Sequence, residues 1–236
     1  PLLDGGGAEE LQQRHEHAGR TLRYSRHDAL NCDAIDAQPS PVTLGIMTRL
    51  PPPQQARWQT GTVFTVGHST LPVGQFIAML QAYGIECLAD IRTVPRSRHN
   101  PQFNSDALAT SLQAASIDYV PMPALGGLRH ARKDSPNAGW RNRSFRGYAD
   151  YMQTAAFHQA LEALIAASAR QRVAIMCAEA VPWRCHRSLV ADALGVHGIP
   201  VVEILSATSY RYHQLTSFAR VEGTDITYPP EQASLP

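Results

Sequence analysis

Organised sequence begins at Thr62-Val63-Phe64-Thr65-Val66-Gly67, where β-branched and aromatic residues form a run that is typical of a buried strand. Ser69 or Thr70 can then cap a helix that carries Pro72 in its first turn and ends at Gly84. A strand that leads directly into a helix is the first half of a βαβ unit, so this stretch predicts an α/β fold.

The same alternation continues along the chain. Further strands are predicted at residues 86–91, 117–122, 173–177 and 200–205, and helices at 105–115, 148–169 and 187–194. Because such units form parallel sheets, we expect a single α/β domain with an open, mostly parallel five-stranded sheet and helices on both faces. Two linkers, 92–104 and 123–146, are longer than ordinary loops, which indicates a functional role.

The predicted domain covers residues 61–220. Residues 1–60 contain a glycine triplet and Pro51-Pro52-Pro53 but no sustained apolar period, so we expect a poorly organised N-terminal extension. Met47 is a plausible native start, and the alternative is a loosely packed N-terminal arm that belongs to the protein. Residues 221–236 are expected to form a C-terminal tail.

Composition excludes several classes of protein. The 236 residues are 44% hydrophobic and 17% charged, which is ordinary for a globular chain and excludes wholesale disorder. No apolar stretch approaches the ~18 residues that a membrane span needs. Four cysteines are too few for a disulfide scaffold in a chain of this length. We therefore expect a cytoplasmic protein with no membrane partner, and its protein partners stay open.

The basic residues are distributed unevenly. The chain has 21 Lys and Arg against 20 Asp and Glu, but only Lys133 among the basic residues is a lysine. Between residues 92 and 146, nine basic residues stand against three acidic ones. Codon bias would explain the preference for Arg, whereas the local excess of positive charge indicates an anionic ligand, either a small molecule or a nucleic acid.

Reactive residues follow three of the predicted strands, in the segments Gly67-His68-Ser69, Asp90-Ile91-Arg92 and Cys177-Ala178-Glu179. Ligands bind at the carboxyl ends of the strands in sheets of this kind. If the three strands are near neighbours, these residues converge on one rim, where we expect a single site. The candidate catalytic residues, as acid–base groups or nucleophiles, are His68, Asp90, Cys177, Glu179 and Cys185.

Each candidate also has a structural explanation. His68 can cap its helix, Asp90 can pair with Arg92, and Glu179 can form an ion pair with a nearby arginine. Cys177 at the end of a buried strand can be a packing residue.

The segment between Cys177 and Arg187 can hold an anion, because a strand, a loop and a helix N-terminus direct backbone N–H groups at it. Tyrosine phosphatases and rhodanese-like proteins have comparable loops, but here Arg184 lies seven positions after Cys177, one more than in those loops. Because Cys185 lies beside His186 and Arg187 at the start of a helix, we expect Cys185 to have a lower pKa than Cys177 and to alkylate faster.

A metal set is the alternative use of these side chains. Cys177, Cys185, His186 and His68 could bind zinc or iron, but Cys-x7-Cys-His is not a common zinc spacing. We therefore expect no metal and no other cofactor.

The linkers combine arginines with aromatic residues and glycines. In segment 140–148 aromatic rings alternate with guanidinium groups, which suits binding of a base plus a phosphate or of a single nucleic-acid strand. The alternative interpretation of this segment is a solvated loop. Glycine in a loop permits close approach of the backbone to a ligand. The predicted substrate-binding residues are Ser69, Arg92, Arg98, Gly126, Gly127, Arg129, Trp140, Arg146, Tyr148, Trp183, Arg184, His186 and Arg187.

Five motifs in order resemble the domain-of-unknown-function-488 proteins of bacteria and archaea. They are Val66–Thr70, Leu88–Arg92 with Pro95, Ser97 and Arg98, Leu125–Gly127, Phe145–Met152, and Met176–Leu189. The resemblance covers about residues 62–220 and implies the domain and the site. It leaves the reaction open, because the activity of that family is not established.

Three hypotheses for the function follow. The first is a cytoplasmic enzyme that acts on a phosphate-bearing substrate such as a nucleotide, a nucleoside or a nucleic acid. The second is a nucleic-acid-binding module without catalysis, which relies on the basic stretch 92–146. The third is a metal-binding or redox-sensing protein that uses Cys177, Cys185 and His186.

Overall fold

A computed structural model describes residues 50–230 of the protein. Six strands form one sheet: β1 (Val63–Gly67), β2 (Cys87–Asp90), β3 (Asp118–Pro121), β4 (Val173–Cys177), β5 (Val201–Ser206) and β6 (Ser209–Tyr212). Their order across the sheet is β3-β2-β4-β1-β5-β6, and every neighbouring pair is parallel except β5 and β6. The predicted α/β fold and the five predicted strands are therefore confirmed.

The sixth strand was not predicted from the sequence. It follows β5 after a tight turn and pairs with it in the antiparallel direction, so it lies at the edge of the sheet. Only Tyr210 of its four residues is buried. A strand with so little apolar pattern gives no signal in the sequence.

Five α-helices connect the strands: α1 (Val73–Ala82), α2 (Ser105–Ala114), α3 (Arg143–Tyr151), α4 (Ala155–Ser168) and α5 (Arg187–Val196). Short 3₁₀ helices span Pro101–Phe103, Pro123–Leu125 and Pro182–Arg184. The long helix predicted at 148–169 is in fact two helices, because α3 ends at Tyr151 and Thr154 then caps α4 by accepting a hydrogen bond from the Phe157 N–H. The predicted cap of α1 is also wrong, since Pro72 occupies the N-cap position and no side chain caps the helix.

The helices cover both faces of the sheet and create two separate apolar clusters. Phe76 and Leu80 of α1 and Leu108 of α2 pack on one face, against alternate strand residues such as Met176. The α3, α4 and α5 side of the sheet carries a second cluster, which includes Ile175 and Cys177. Alternation along β4 thus sends Met176 and Cys177 to opposite faces.

Residues on both sides of the range 61–220 also pack against the sheet and its helices. Trp58 lies in the predicted extension, yet its ring contacts Phe64 and Tyr210 at centroid distances of 5.1 and 5.0 Å. After residue 220, strands β7 (Arg220–Glu222) and β8 (Asp225–Thr227) form a hairpin, and Tyr228 behind it is fully buried. The predicted start at Met47 lies outside the described residues.

No helix within residues 50–230 has the length and apolar character that crossing a membrane requires.

Candidate functional site

The three strands that carry reactive residues at their ends lie side by side. Strand β4 pairs with β1 on one side and with β2 on the other. Gly67 is level with Cys177, and Asp90 is level with Met176. The segments that follow these strands therefore emerge at the same edge of the sheet, as the sequence predicted.

The end of β1 is joined closely to the loop that follows β4. The backbone N–H groups of His68 and Ser69 donate to the carbonyl oxygens of Cys177 and Ala178, at 3.1 and 2.9 Å. A Cβ atom at Gly67 would lie only 1.9 Å from the Glu179 carbonyl oxygen. Glycine is therefore required at this position, because any side chain would displace the loop.

Asp90 fixes the side chain of Arg92 at the end of β2. The Arg92 Nε donates to Asp90 Oδ1 at 2.8 Å, and the Arg92 Nη2 donates to Asp90 Oδ2 at 2.5 Å. Tyr119 on β3 donates its hydroxyl to the same Oδ2 at 2.7 Å. Asp90 and Arg92 are 1% and 8% exposed, so this ion pair is almost completely removed from solvent.

His68 holds Arg92 from the opposite side. Burial lowers the pKa of His68 to about 4, so its imidazole is neutral at pH 7. The network assigns the single proton to Nδ1, which donates to the Ser69 carbonyl at 2.8 Å. Nε2 is then free to accept from the Arg92 Nη1 at 3.3 Å, and the ring stacks on Phe103 with a centroid distance of 4.0 Å.

An open cleft of about 420 Å³ lies beside these residues. Of the predicted site residues, His68, Ser69, Arg92 and Glu179 line it. The lining residues that sequence reasoning missed include Thr70, Arg96, Ser97 and Asn100. A signal for three of these was present, because Arg96, Ser97 and Asn100 lie in the long linker directly after Arg92.

Arg92 reaches the cleft with unused hydrogen-bond donors. A guanidinium has five N–H groups, and Arg92 uses one on Nε, one on Nη2 and one on Nη1. One N–H on each terminal nitrogen is left without a partner among residues 50–230. A rigidly held arginine with two open donors is suited to binding an oxyanion.

The loop wall of the cleft offers backbone donors as well. The carbonyl oxygens of Ala178 and Glu179 accept from the Ser69 N–H and the Arg187 Nη1, so both carbonyls point away from solvent. In a trans peptide the N–H of the following residue points opposite to the carbonyl. The N–H groups of Glu179 and Ala180 therefore point away from Ser69 and Arg187. Within the described part of the chain, neither N–H group has an acceptor.

Arg187 lies on the other side of this loop and is completely buried. Its Nη1 donates to the Val66 carbonyl, the Glu179 carbonyl and the Cys177 Sγ at 2.8, 3.0 and 2.9 Å. Its Nε has no partner, and no carboxylate within residues 50–230 pairs with the guanidinium. Because a buried charge needs a counter-charge, the Cys177 sulfur is the group positioned to supply it as a thiolate.

The two thiols near Arg187 differ strongly in acidity. A hydrogen bond from Cys185, helped by the charge of Arg187, lowers the pKa of Cys177 to about 7 in spite of burial. The same hydrogen bond raises the pKa of Cys185 far above its usual value. The order of acidity is therefore the reverse of the predicted one, because Cys177 accepts a hydrogen bond from the Arg187 guanidinium.

His186 and Gly127 pack against each other away from the cleft. A Cβ atom at Gly127 would lie 3.1 Å from the His186 Nδ1. The His186 Nε2 lies 3.2 Å from the Ile91 carbonyl, and burial lowers the pKa of His186 to about 4. These two residues thus support the loops, and neither His186 nor Cys177 is among the residues that line the cleft with His68.

The predicted binding segment 140–148 is exposed at residues 141–144, and its remaining residues pack against the protein. Tyr148 donates its hydroxyl to the Leu125 carbonyl at 2.7 Å, and Arg146 donates to the Trp140 carbonyl at 2.8 Å. Arg129 lies over the Tyr151 ring at 3.7 Å and donates to the Gly126 carbonyl. Their guanidinium and hydroxyl groups therefore stabilise the long linker, and none of these side chains lines the cleft.

The other predicted binding residues lie elsewhere on the surface. Arg98, Trp183 and Arg184 are exposed, and none of them lines the cleft. Residues 50–230 contain no group of three or more His, Cys, Asp or Glu side chains that could hold a metal ion.

No curated protein and no solved structure matches the chain. The model of one family, described as domain of unknown function DUF488, matches residues 72–194. The matched segment includes β2, β4 and the loops that build the cleft wall and the Arg187 environment, while β1 with Gly67 and His68 precedes it. Because more than half of the 236 residues are matched, the chain belongs to the DUF488 family.

Proposed function

We propose that the protein is a cytoplasmic enzyme that acts on a phosphate-bearing substrate, such as a nucleotide or a nucleic acid, and binds the phosphate in the cleft. One observation carries the proposal: Arg92 is held by Asp90 and His68 so that two of its N–H groups remain open in a solvent-accessible cleft. A guanidinium in a fixed orientation binds oxyanions with little loss of conformational entropy.

The number of donors favours phosphate over a carboxylate. Beyond Arg92, the cleft is lined by the exposed Arg96 and by the backbone of Glu179 and Ala180, whose N–H groups have no acceptor within residues 50–230. Ser69 and Ser97 add hydroxyl groups to the same walls. A phosphoryl group has more acceptor oxygens than a carboxylate and satisfies donors that arrive from several directions.

Glu179 is the acid–base group in this proposal. Among residues 50–230 it is the carboxylate that lines the cleft, it is partly exposed, and there only its Oε1 accepts a hydrogen bond, from the Val181 N–H at 3.3 Å. A carboxylate with one free oxygen beside a bound phosphate can accept a proton from a nucleophile or return one to a leaving group.

His68 and Asp90 act in the proposal as positioning residues. Both ring nitrogens of His68 are occupied, and Asp90 is bound by Arg92 and Tyr119. Cys177 is 3% exposed and contacts Arg187 behind the loop, so the proposed reaction does not use its sulfur.

The test is binding of inorganic pyrophosphate, followed by isothermal titration calorimetry, and turnover of a panel of nucleotides. Arg92→Lys keeps the positive charge but loses the paired N–H groups of the guanidinium. Because hydrogen bonds to charged groups contribute about 1.5–3 kcal/mol, we expect the affinity for pyrophosphate to fall at least about tenfold. The control is Arg170→Lys, a substitution of an exposed arginine that does not line the cleft.

Glu179→Gln separates binding from chemistry. We expect this variant to bind pyrophosphate like the wild type while turnover of any nucleotide substrate is lost. Equal affinities for the Arg92→Lys and Arg170→Lys variants would contradict the anion site, and full turnover by Glu179→Gln would contradict the acid–base role.

A further inference from the structure

A second concave surface borders the loop that forms the cleft wall. This aromatic groove has a volume of about 440 Å³, which is within the usual range for small-ligand sites, and its walls include Trp140, Trp183, Glu203, Arg211, Tyr212 and His213. Trp183 belongs to the loop between β4 and α5, and Arg211 and Tyr212 belong to the edge strand β6.

The base of the groove is a rigid, charge-balanced network. The His213 ring lies between two carboxylates, with Nδ1 at 2.8 Å from Glu203 Oε1 and Nε2 at 2.8 Å from Asp192 Oδ1. Burial opposes its charge, but hydrogen bonds to Asp192 and Glu203 raise the pKa of His213 to about 9. Two carboxylates thus balance His213 and Arg211, so the groove has little net charge to attract a simple ion.

Glu203 also fixes Arg211. It accepts from the Arg211 Nε, and this places the guanidinium over the Trp183 ring at 4.7 Å from the ring centroid. The two terminal nitrogens of Arg211 have no partner among residues 50–230. The groove therefore presents a stacked guanidinium and indole with free N–H groups at the edge.

The aromatic faces at the groove are unusually open to solvent. Trp183 is 59% exposed and Tyr212 is 50% exposed. Since Arg211 covers one face of the indole, so large an exposed area requires the other face to be open. Exposed aromatic rings beside unpaired arginine N–H groups are the composition of surfaces that stack bases of single-stranded nucleic acids.

The groove and the cleft share one loop. Ala180 lines the cleft and Trp183 lines the groove, and three residues of chain span at most about 11 Å. A ligand that contacts both the cleft wall at Ala180 and the Trp183 ring would bridge a distance of this order, which a free phosphate cannot do but a short strand can.

We infer that the aromatic groove is a base-stacking subsite for a single-stranded nucleic acid whose neighbouring phosphate occupies the cleft. This inference rests on the proposed function, because it takes the cleft to be the phosphate site. It assigns the substrate class of that site as a nucleic-acid strand of at least two nucleotides.

The experiment compares two probes on the same proteins. Fluorescein-labelled hexathymidylate, followed by fluorescence anisotropy, can contact both the groove and the cleft, whereas inorganic pyrophosphate can occupy only the cleft. Stacking of one base contributes about 1–3 kcal/mol, so we expect Trp183→Ala to weaken hexathymidylate binding at least about fivefold and to leave pyrophosphate binding unchanged. Trp183→Phe keeps a stacking face and should restore most of the affinity.

Arg211→Lys should also weaken hexathymidylate binding, and Arg220→Lys, on the separate β7–β8 hairpin, is its matched control. Equal binding of hexathymidylate by wild type and Trp183→Ala overturns the inference, as does an equal loss of both probes, which would indicate a damaged loop. Binding of pyrophosphate without hexathymidylate also overturns it but leaves the proposed function standing. Failure of the wild type to bind either probe overturns both proposals.

Discussion

The three described cysteines should titrate in an order set by their surroundings, with Cys177 first, Cys87 second and Cys185 last. All three are buried and free, so differences in exposure do not decide the order. Cys177 has a pKa lowered to about 7, whereas burial raises the pKa of Cys87 to about 11 and the Cys177 thiolate raises that of Cys185 further. The perturbation is removal of the Cys185 S–H in the variant Cys185→Ala.

The expected magnitude is large. A thiol with a pKa of about 7 is half ionised at pH 7, whereas one at the usual value of 9.0 is ionised to about one part in a hundred. The difference corresponds to about 3 kcal/mol of preference for the charged form. The hydrogen bond from Cys185 is the largest contribution, so Cys185→Ala should raise the Cys177 pKa, and Cys185→Ser, which still carries a hydroxyl donor, should keep it low.

The assay is the rate of iodoacetamide labelling across pH, read for each cysteine by peptide mass spectrometry. Cys87 is an internal control in every sample, because its thiol is also buried but lacks a cationic partner. If Cys185 titrates before Cys177, or if all three thiols follow one common pH dependence, the account of a Cys185 hydrogen bond and an Arg187 counter-charge is refuted.

Two further predictions concern stability. Gly67→Ala places a Cβ 1.9 Å from the Glu179 carbonyl oxygen and should lower the free energy of unfolding, measured by chemical denaturation, by about 1–3 kcal/mol. Gly195→Ala in α5, where a Cβ would have open space, should raise it by about 0.5–1 kcal/mol. Equal effects of the two substitutions would mean that the loop after β4 does not pack on β1. The pKa of His213 is raised from 6.5 to about 9, so the stability that its charge contributes is fully present below pH 6.5 and is lost as pH rises through 9. The difference in unfolding free energy between wild type and His213→Asn should shrink over that range, and a difference that grows with pH would contradict the ion network.

The elements with strong local patterns were predictable from sequence. Apolar runs at β1 and β4 mark buried strands, and the rule that parallel strand ends share an edge brought His68, Arg92 and Glu179 together. Two facts were enough to predict that these residues lie together: each follows the end of a strand, and the strands are neighbours.

Contacts made by side chains across the fold were not predictable. Arg187 looks in sequence like a solvent-facing residue at the start of a helix, yet its side chain reaches Val66, which is 121 residues away. The same holds for Arg211, whose contact with Trp183 depends on an edge strand with almost no apolar signal. The acidities of Cys177 and Cys185 follow from such contacts, which is why the sequence suggested the opposite order.

The position of β1 between β4 and β5 has a consequence for synthesis of the protein. This strand is made first, but the strands that flank it are encoded more than a hundred residues later. A nascent chain therefore carries an apolar strand with two unpaired edges until the ribosome has produced β4, and long-range pairing of this kind folds slowly. The wall of the cleft gains its side-chain attachment to β1 only when Arg187 has been added, because that residue bonds both Val66 and Glu179. Residues 63–67 therefore expose unpaired strand edges to other chains until β4 has been made.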